Sequence, residues 1–269
     1  MNLPRRQFLH LVAGAVAAPA ISRDALAEGY PSRPVRFISG FAAAGGNDII
    51  SRLMGQWLTE RLGQTFIIEN RPGAGTNIAA EVVINSPPDG YTLFGTNLSN
   101  AINAALYEKL NFNFMRDMLP VAGIAQAPAV FAINSSVPAK TVTEFIAHAK
   151  ANPGRINMGS AGIGSTGHLA GELFKMMAGV NLIHVPYRGN APALTDLIAG
   201  QIEVLFPSLG SSIEYVKTGK LRALAVTGAT RSDPVPDLPT VAETLPGYQA
   251  ASFYGIGAPA TPRLRLSRC

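Results

Sequence analysis

Four segments of the chain combine glycine with hydroxyl or amide side chains in the manner of loops that bind through their backbone: residues 40–47, 70–77, 95–100 and 160–167. Each follows a β-rich run and precedes a helical pattern. Each therefore belongs beyond the carboxyl end of a strand, where ligands collect in parallel α/β sheets. A helix N-terminus presents unpaired N–H groups and the positive end of a dipole, so the chemistry on offer is capture of an anion. One such end contributes about 0.3–1 kcal/mol, and a hydrogen bond to a charged group about 1.5–3 kcal/mol. Two or three ends together would hold a carboxylate without any Lys or Arg. A single Gly-rich loop needs no function, because glycine serves turn geometry. Four of one kind on one face point to a ligand.

One of these loops invites a sharper reading. Gly162, Gly164 and Gly167 match the spacing of a dinucleotide fingerprint between a strand and a helix. The acid expected about 20 residues further on is absent. The next strand ends in Pro186-Tyr187-Arg188, so only an NADP-type oxidoreductase using Arg188 survives as an alternative. Other enzyme signatures are missing: there is no phosphate-binding Gly-Lys-Ser/Thr loop and no Gly-x-Ser-x-Gly elbow. His148, His168 and His184 lack the close spacing of a metal pair. His148 reads as a solvent-facing helix residue, His184 as a satisfied core residue and His168 as a brace at a helix start. The acids are scattered singly, and Asp48 is explained as a helix N-cap. No catalytic residue, metal site or cofactor is expected.

The elements that must position these loops alternate. Strands are expected over 35–39, 66–69, 91–96, 121–125, 130–134, 156–159, 182–185, 202–206 and 221–227. Helices are expected from Asp48 to Gly63, from about Asn77 to Asn85, and over 143–151, 168–178, 191–199 and 211–217. This order implies an α/β protein with mainly parallel sheets and helices on both faces. The same strand–loop–helix opening recurs in both halves, so two facing lobes are expected.

The 269 residues suffice for one large or two small domains. The net charge of +5 sits at the ends. The body from Glu28 to Ala260 carries 16 basic and 16 acidic groups, with its six Lys widely spaced, which excludes a nucleic-acid footprint. Residues 1–27 read as a cleaved export signal: Arg5-Arg6 opens a twin-arginine pattern, a short apolar run follows, and Ala25-Leu26-Ala27 has the form of a cleavage site. That run is too short to span a bilayer, and no later segment stays uncharged long enough. A soluble protein outside the cytoplasm is expected. The one cysteine, Cys269, leaves no intramolecular disulfide.

Several motifs, in order, resemble one family. They are Phe41-Ala42-Ala43-Ala44-Gly45-Gly46-Asn47-Asp48, Glu69-Asn70-Arg71-Pro72-Gly73-Ala74-Gly75 and Pro88-Asp89-Gly90-Tyr91-Thr92-Leu93. The series continues with Gly164-Ser165-Thr166-Gly167-His168 and the residues that follow, His184-Val185-Pro186-Tyr187-Arg188-Gly189, and Gly219-Lys220-Leu221-Arg222-Ala223. Over about 31–260 the chain is similar to the extracytoplasmic solute receptors of tripartite tricarboxylate transporters, the Bug family. The resemblance implies a two-lobed, type II-like periplasmic binding protein, a monomer that closes on a small organic acid and delivers it to membrane subunits of the transporter. It implies lobe I from 28–100 with a return segment 228–269, and lobe II from 101–227. The binding role it carries over falls on Phe41, Ala43, Asn47, Asp48, Thr96, Asn97, Ser160, Ser165 and Thr166.

Three departures stand out. Ala44 takes a position where many members have Gly, so a positive φ there would be strained. Pro207-Ser208 replaces Asp-Asn, removing a charge and a donor from the pocket rim. The chain stops soon after Pro262, where members continue with further helices, so a shortened receptor that no longer binds is the other alternative.

Overall fold

The computed structural model describes residues 29–260. The export signal expected over 1–27 and the ending 261–269 lie outside the described residues. The chain opens with β1 (Val35–Ser39), α1 (Gly46–Leu62), β2 (Phe66–Asn70), α2 (Asn77–Ile84) and β3 (Thr92–Asn97). It continues through α3 (Leu98–Leu106), α4 (Phe114–Asp117) and β4 (Met118–Pro128). The next stretch holds β5 (Val130–Asn134), α5 (Val142–Ala151), β6 (Asn157–Ser160), α6 (Thr166–Ala178) and β7 (Ile183–Pro186). After α7 (Asn190–Ala199), β8 (Val204–Leu205), α8 (Leu209–Lys217) and β9 (Leu221–Val226), the chain returns in β10 (Ala251–Pro259).

These elements form two sheets, ordered β2-β1-β3-β10-β4 and β7-β6-β8-β5-β9. In the first, β1 pairs parallel with β2 and β3, while β10 runs antiparallel between β3 and β4. In the second, β6 pairs parallel with β7 and β8, and β5 runs antiparallel between β8 and β9. Each sheet is thus mainly parallel with one opposing strand, and the fold is the expected two-lobed α/β arrangement.

Sheet membership places the crossings later than the family pattern implied. β4 lies within 101–227 but is hydrogen-bonded into the first sheet through β10, from Ala251↔Pro128 to Pro259↔Met118. Residues 228–250 do not return at once either, because Val241 and Tyr248 are buried in the core of the second lobe, where the Tyr248 hydroxyl donates to the Ala170 carbonyl. The chain therefore changes sheet at Ala129 and again at Ala250. Thr227 ties these two points together. Its buried hydroxyl accepts from the Ala129 amide at 2.9 Å and donates to the Ala250 carbonyl at 2.7 Å. Its amide donates to Ala129 and its carbonyl accepts from Ala250.

Each lobe has its own core. In the second, Phe131 is the hub, with Phe145, Phe174 and Phe206 at centroid distances of 5.0, 4.8 and 4.7 Å. In the first, Val35, Phe37 and Phe66 pack on one face of the sheet with Met54 and Leu58 of α1, and Ile38, Phe94 and Met118 pack with α2 on the other. Helix α1 ends as expected at Gly63, which takes a left-handed φ of 72° and donates to the Thr59 carbonyl. Helix α3 starts in the 95–100 loop, although its span is not among the expected helices, and strand β10 is not expected from its residues. β10 carries two glycines and a terminal proline, a composition that reads as loop.

Candidate functional site

The two lobes face each other across a narrow cavity of about 40 Å³. The first lobe contributes Phe41, Gly45, Gly46, Asn47, Asn97, Ser99, Ser252 and Tyr254. The second contributes Ala161, Ser165, Thr166, Gly167, Asn190 and Ser208. None of these side chains carries a formal charge. Five helices begin at this cavity: α1 at Gly46, α3 at Leu98, α6 at Thr166, α7 at Asn190 and α8 at Leu209. Each brings first-turn amides without partners inside its helix and the positive end of its dipole. The field in the cavity is therefore positive although no cation lines it.

Two polar groups there have no partner among the described residues. The side chain of Asn97 caps α3, its oxygen accepting from the Ser99 amide at 2.9 Å, while its buried Nδ2 donates to nothing. The buried Ser99 hydroxyl is likewise unpaired. An unsatisfied buried polar group costs about 1–3 kcal/mol, so two beside one cavity favour an incoming acceptor.

The first loop is held rigidly. The buried carboxylate of Asp48 accepts from the Ala44 amide and Arg52 Nε, each at 2.9 Å, and from Asn70 Nδ2 at 2.8 Å. Asn70 also donates to the Phe41 carbonyl. Burial pushes the Asp48 pKa up, but the hydrogen bonds from Arg52, Ala44 and Asn70 outweigh it and hold the group below its ordinary value. Asp48 is not the N-cap that the sequence suggested. Helix α1 starts earlier, with Gly45 at the cap, and Asp48 reaches back from the first turn to the loop amide. Ala44 has a φ of 62°, the strain anticipated for a residue in place of glycine. Ala74 and Thr76 share the left-handed region at 45° and 84°.

The nine residues that the resemblance singled out fall into two groups. Phe41, Asn47, Asn97, Ser165 and Thr166 line the cavity; Ala43, Asp48, Thr96 and Ser160 do not. Asn47 lends its surface and its backbone, because its side chain accepts from Ser39 Oγ at 2.8 Å and donates to the Gly95 carbonyl at 3.2 Å. Ser165 caps α6, its hydroxyl accepting from the His168 amide. Ala43 is exposed, and Thr96 lines an apolar groove with Met118 and Ile124 that adjoins the cavity at Asn97 and Tyr254. Ser160 is fully buried, its hydroxyl 2.6 Å from His184 Nε2 and accepting from the Gly162 amide.

His184 is half-buried rather than a core residue and stacks on His168 with ring centroids 4.1 Å apart. Burial, then the neighbouring His168, lowers the His184 pKa to about 4, and burial lowers that of His168. Sequence reasoning placed Gly46 and Ser99 in the candidate loops and Ser208 at the pocket rim without naming them as ligand residues, and it missed Asn190, Ser252 and Tyr254. The Tyr254 phenol is pushed up by burial, partly offset by hydrogen bonds with Ser252 and Ser208.

Of the fingerprint glycines, Gly164 serves contact between the lobes, while Gly162 and Gly167 pack against the Tyr187 and Phe206 backbone of their own lobe. A Cβ at Gly164 would lie 2.4 Å from Asn103 Oδ1 and 3.1 Å from a Leu106 methyl, both in α3 of the other lobe. That face of the loop is occupied by protein, which counts against a dinucleotide pyrophosphate there. Among the described residues, no group of three or more His, Cys, Asp or Glu converges as a metal site, and no helix is long and apolar enough to cross a membrane.

Two α/β lobes joined by paired crossings, with helix N-termini converging on a cavity between them, define a two-lobed solute-binding protein of the periplasmic type. The chain belongs to the tripartite tricarboxylate transporter family receptors, whose family model matches residues 50–265. A protein from Pseudomonas sp. strain P51, described only by its place between two genes, is 33% identical over 270 residues, 99% of this chain and 80% of that one. Rpa4515 of R. palustris, solved with adipate, superposes with a TM-score of 0.84 at 39% identity, over 86% of this chain and 78% of the other. MatC from Rhodopseudomonas palustris, solved with bound malate, gives 0.81 at 31% identity over 86% and 79%.

Proposed function

We propose that this receptor captures a small organic carboxylate, a di- or tricarboxylate or related acid, between its lobes and presents it to membrane subunits of a tripartite tricarboxylate-type transporter. The observation that carries this reading is the uncharged cavity on which five helix N-termini converge, with the unpaired Asn97 Nδ2 and Ser99 hydroxyl beside them. Fixed partial charges of this kind favour an anion. The adipate and malate bound by two relatives belong to the same chemical class. The binding residues we assign are Phe41, Asn47, Asn97, Ser165 and Thr166, supplemented by Ser99, Asn190, Ser208 and Tyr254; Asp48 and Ser160 brace the loops from behind. The protein acts as a monomer without a cofactor, after export through a cleaved signal of twin-arginine type.

A thermal-shift panel tests the reading, using succinate, malate, adipate, citrate, acidic amino acids, aromatic acids and NADP. Ligand at about 100 times its dissociation constant adds roughly 2.7 kcal/mol to stability. A shift with one acid class and none with NADP is the expected result. A cooperative melt that no acid moves would refute carboxylate binding.

A further inference from the structure

The cavity between the helix N-termini is small, about 40 Å³. At Phe41 and Ala161 it adjoins a second groove between the lobes, of about 420 Å³, bounded by the 72–76 loop on one side and residues 162–163 and 186–188 on the other. The side chains there are small or apolar apart from Thr76, Tyr107, Tyr187 and Arg188, and Arg188 is the only formal charge. Other arginines among the described residues are engaged. Arg33, Arg36, Arg52, Arg71, Arg116 and Arg231 pair with carboxylates, Arg222 donates to carbonyls and Arg61 stacks on Trp57. Only Arg155, remote from the groove, and Arg188 have no such partner. What holds Arg188 in place is its backbone, whose carbonyl accepts from the Ala42 amide of the other lobe at 3.1 Å. Its guanidinium is left available at the rim.

We propose that Arg188 binds the distal carboxylate of an extended diacid whose proximal carboxylate sits among the helix N-termini, so that this arginine selects diacids over monoacids. The inference rests on the carboxylate reading of the cavity and adds to it a second subsite. An unbranched spacer would pass Phe41 and lie along the glycine-rich wall of the groove. A planar guanidinium suits a carboxylate arriving from that direction.

The test compares the wild-type protein with Arg188→Gln by calorimetry. The probes are straight diacids from succinate to suberate, each set against the monoacid of equal length. Because the interlobe contact uses the Arg188 carbonyl, the variant keeps it, and an unchanged melting temperature verifies the fold. The wild type is expected to prefer the diacid at its best length. Arg188→Gln should weaken that diacid about three- to fivefold, in line with the upper end for an exposed ion pair, and leave the monoacid unchanged. Equal loss for both acids, or no loss for either, would overturn the role of Arg188 while leaving carboxylate binding intact. A folded wild type that binds neither series would overturn the carboxylate reading and this inference together.

Discussion

Replacing Gly46 by Ala should separate lobe stability from ligand affinity. Gly46 opens α1 at the cavity, and a Cβ there would lie 2.5 Å from Ser208 Oγ, 2.9 Å from Ser208 Cβ and 2.7 Å from the Tyr254 hydroxyl. Carbon atoms rest at about 3.5–4.0 Å. The Ser208 hydroxyl can rotate away, but its Cβ retreats only if the second lobe retreats with it. Overpacking of this kind costs about 1–3 kcal/mol. If that cost falls on the closed, liganded arrangement, affinity drops about 5- to 150-fold. Alanine is meanwhile the better helix former, by up to about 1 kcal/mol, which offsets the clash with the Tyr254 hydroxyl of the same lobe, so the unliganded protein should melt within a few degrees of wild type. Gly210→Ala is the control, since Gly210 lies in α8 with nothing within 4 Å of its Cβ position. The assay is calorimetric titration with the acid that binds wild type most tightly, alongside melts without ligand. Gly46→Ala binding within twofold of wild type, or losing no more than Gly210→Ala, would refute the claim that close approach of Ser208 to Gly46 belongs to the binding state.

Three further outcomes follow from the same geometry. Asn97→Asp keeps the acceptor that caps α3 but loses the unpaired donor and adds negative charge at the cavity, so stability should hold while carboxylate affinity falls at least about tenfold, as read by titration. Thr227→Val removes the hydroxyl shared by Ala129 and Ala250 in a buried site and should cost about 1–3 kcal/mol; an unchanged denaturation midpoint would count against the clamp. His184 has a folded pKa of about 4, below its unfolded value near 6.5, so its stabilising contribution is complete above about pH 6.5 and is lost as pH falls towards 4. The melting temperature should decline across that window and decline less in His184→Gln; parallel profiles would show that the stacked pair is not responsible.

Much of this architecture is legible in the residues. The β-branched and aromatic runs at Val35–Ser39 and Val130–Asn134 give those strands directly, and Gly63 marks the end of α1. The loops that carry the cavity are visible as glycine and hydroxyl clusters, because close approach of backbone to a ligand or to another lobe demands small residues. What is not legible depends on contacts distant in sequence. β10 forms only because β3 and β4 flank it, so Ser252 and Tyr254 reach the cavity from a segment with little strand propensity of its own. Helix α3 begins with a capping box in which Asn100 stands where Glu or Gln is usual. Asp48 and Ser160 have the chemistry of ligand groups, but their oxygens are taken up by Arg52, Asn70, His184 and loop amides. Spacing alone cannot distinguish a side chain that faces the ligand from one that holds the loop in place.

The clamp at Thr227 also divides affinity from selectivity. Both crossings between the lobes meet at this residue, which is not itself among the groups that line the cavity. A change there alters the fraction of molecules in the binding-competent arrangement, and apparent affinity scales with that fraction whatever the acid. Hinge variants should therefore strengthen or weaken every ligand by the same factor and leave their ranking intact. Reordering the ranking requires changes at the cavity itself. Over evolutionary time, such a receptor can be tuned to the abundance of its solute without altering which solute it takes.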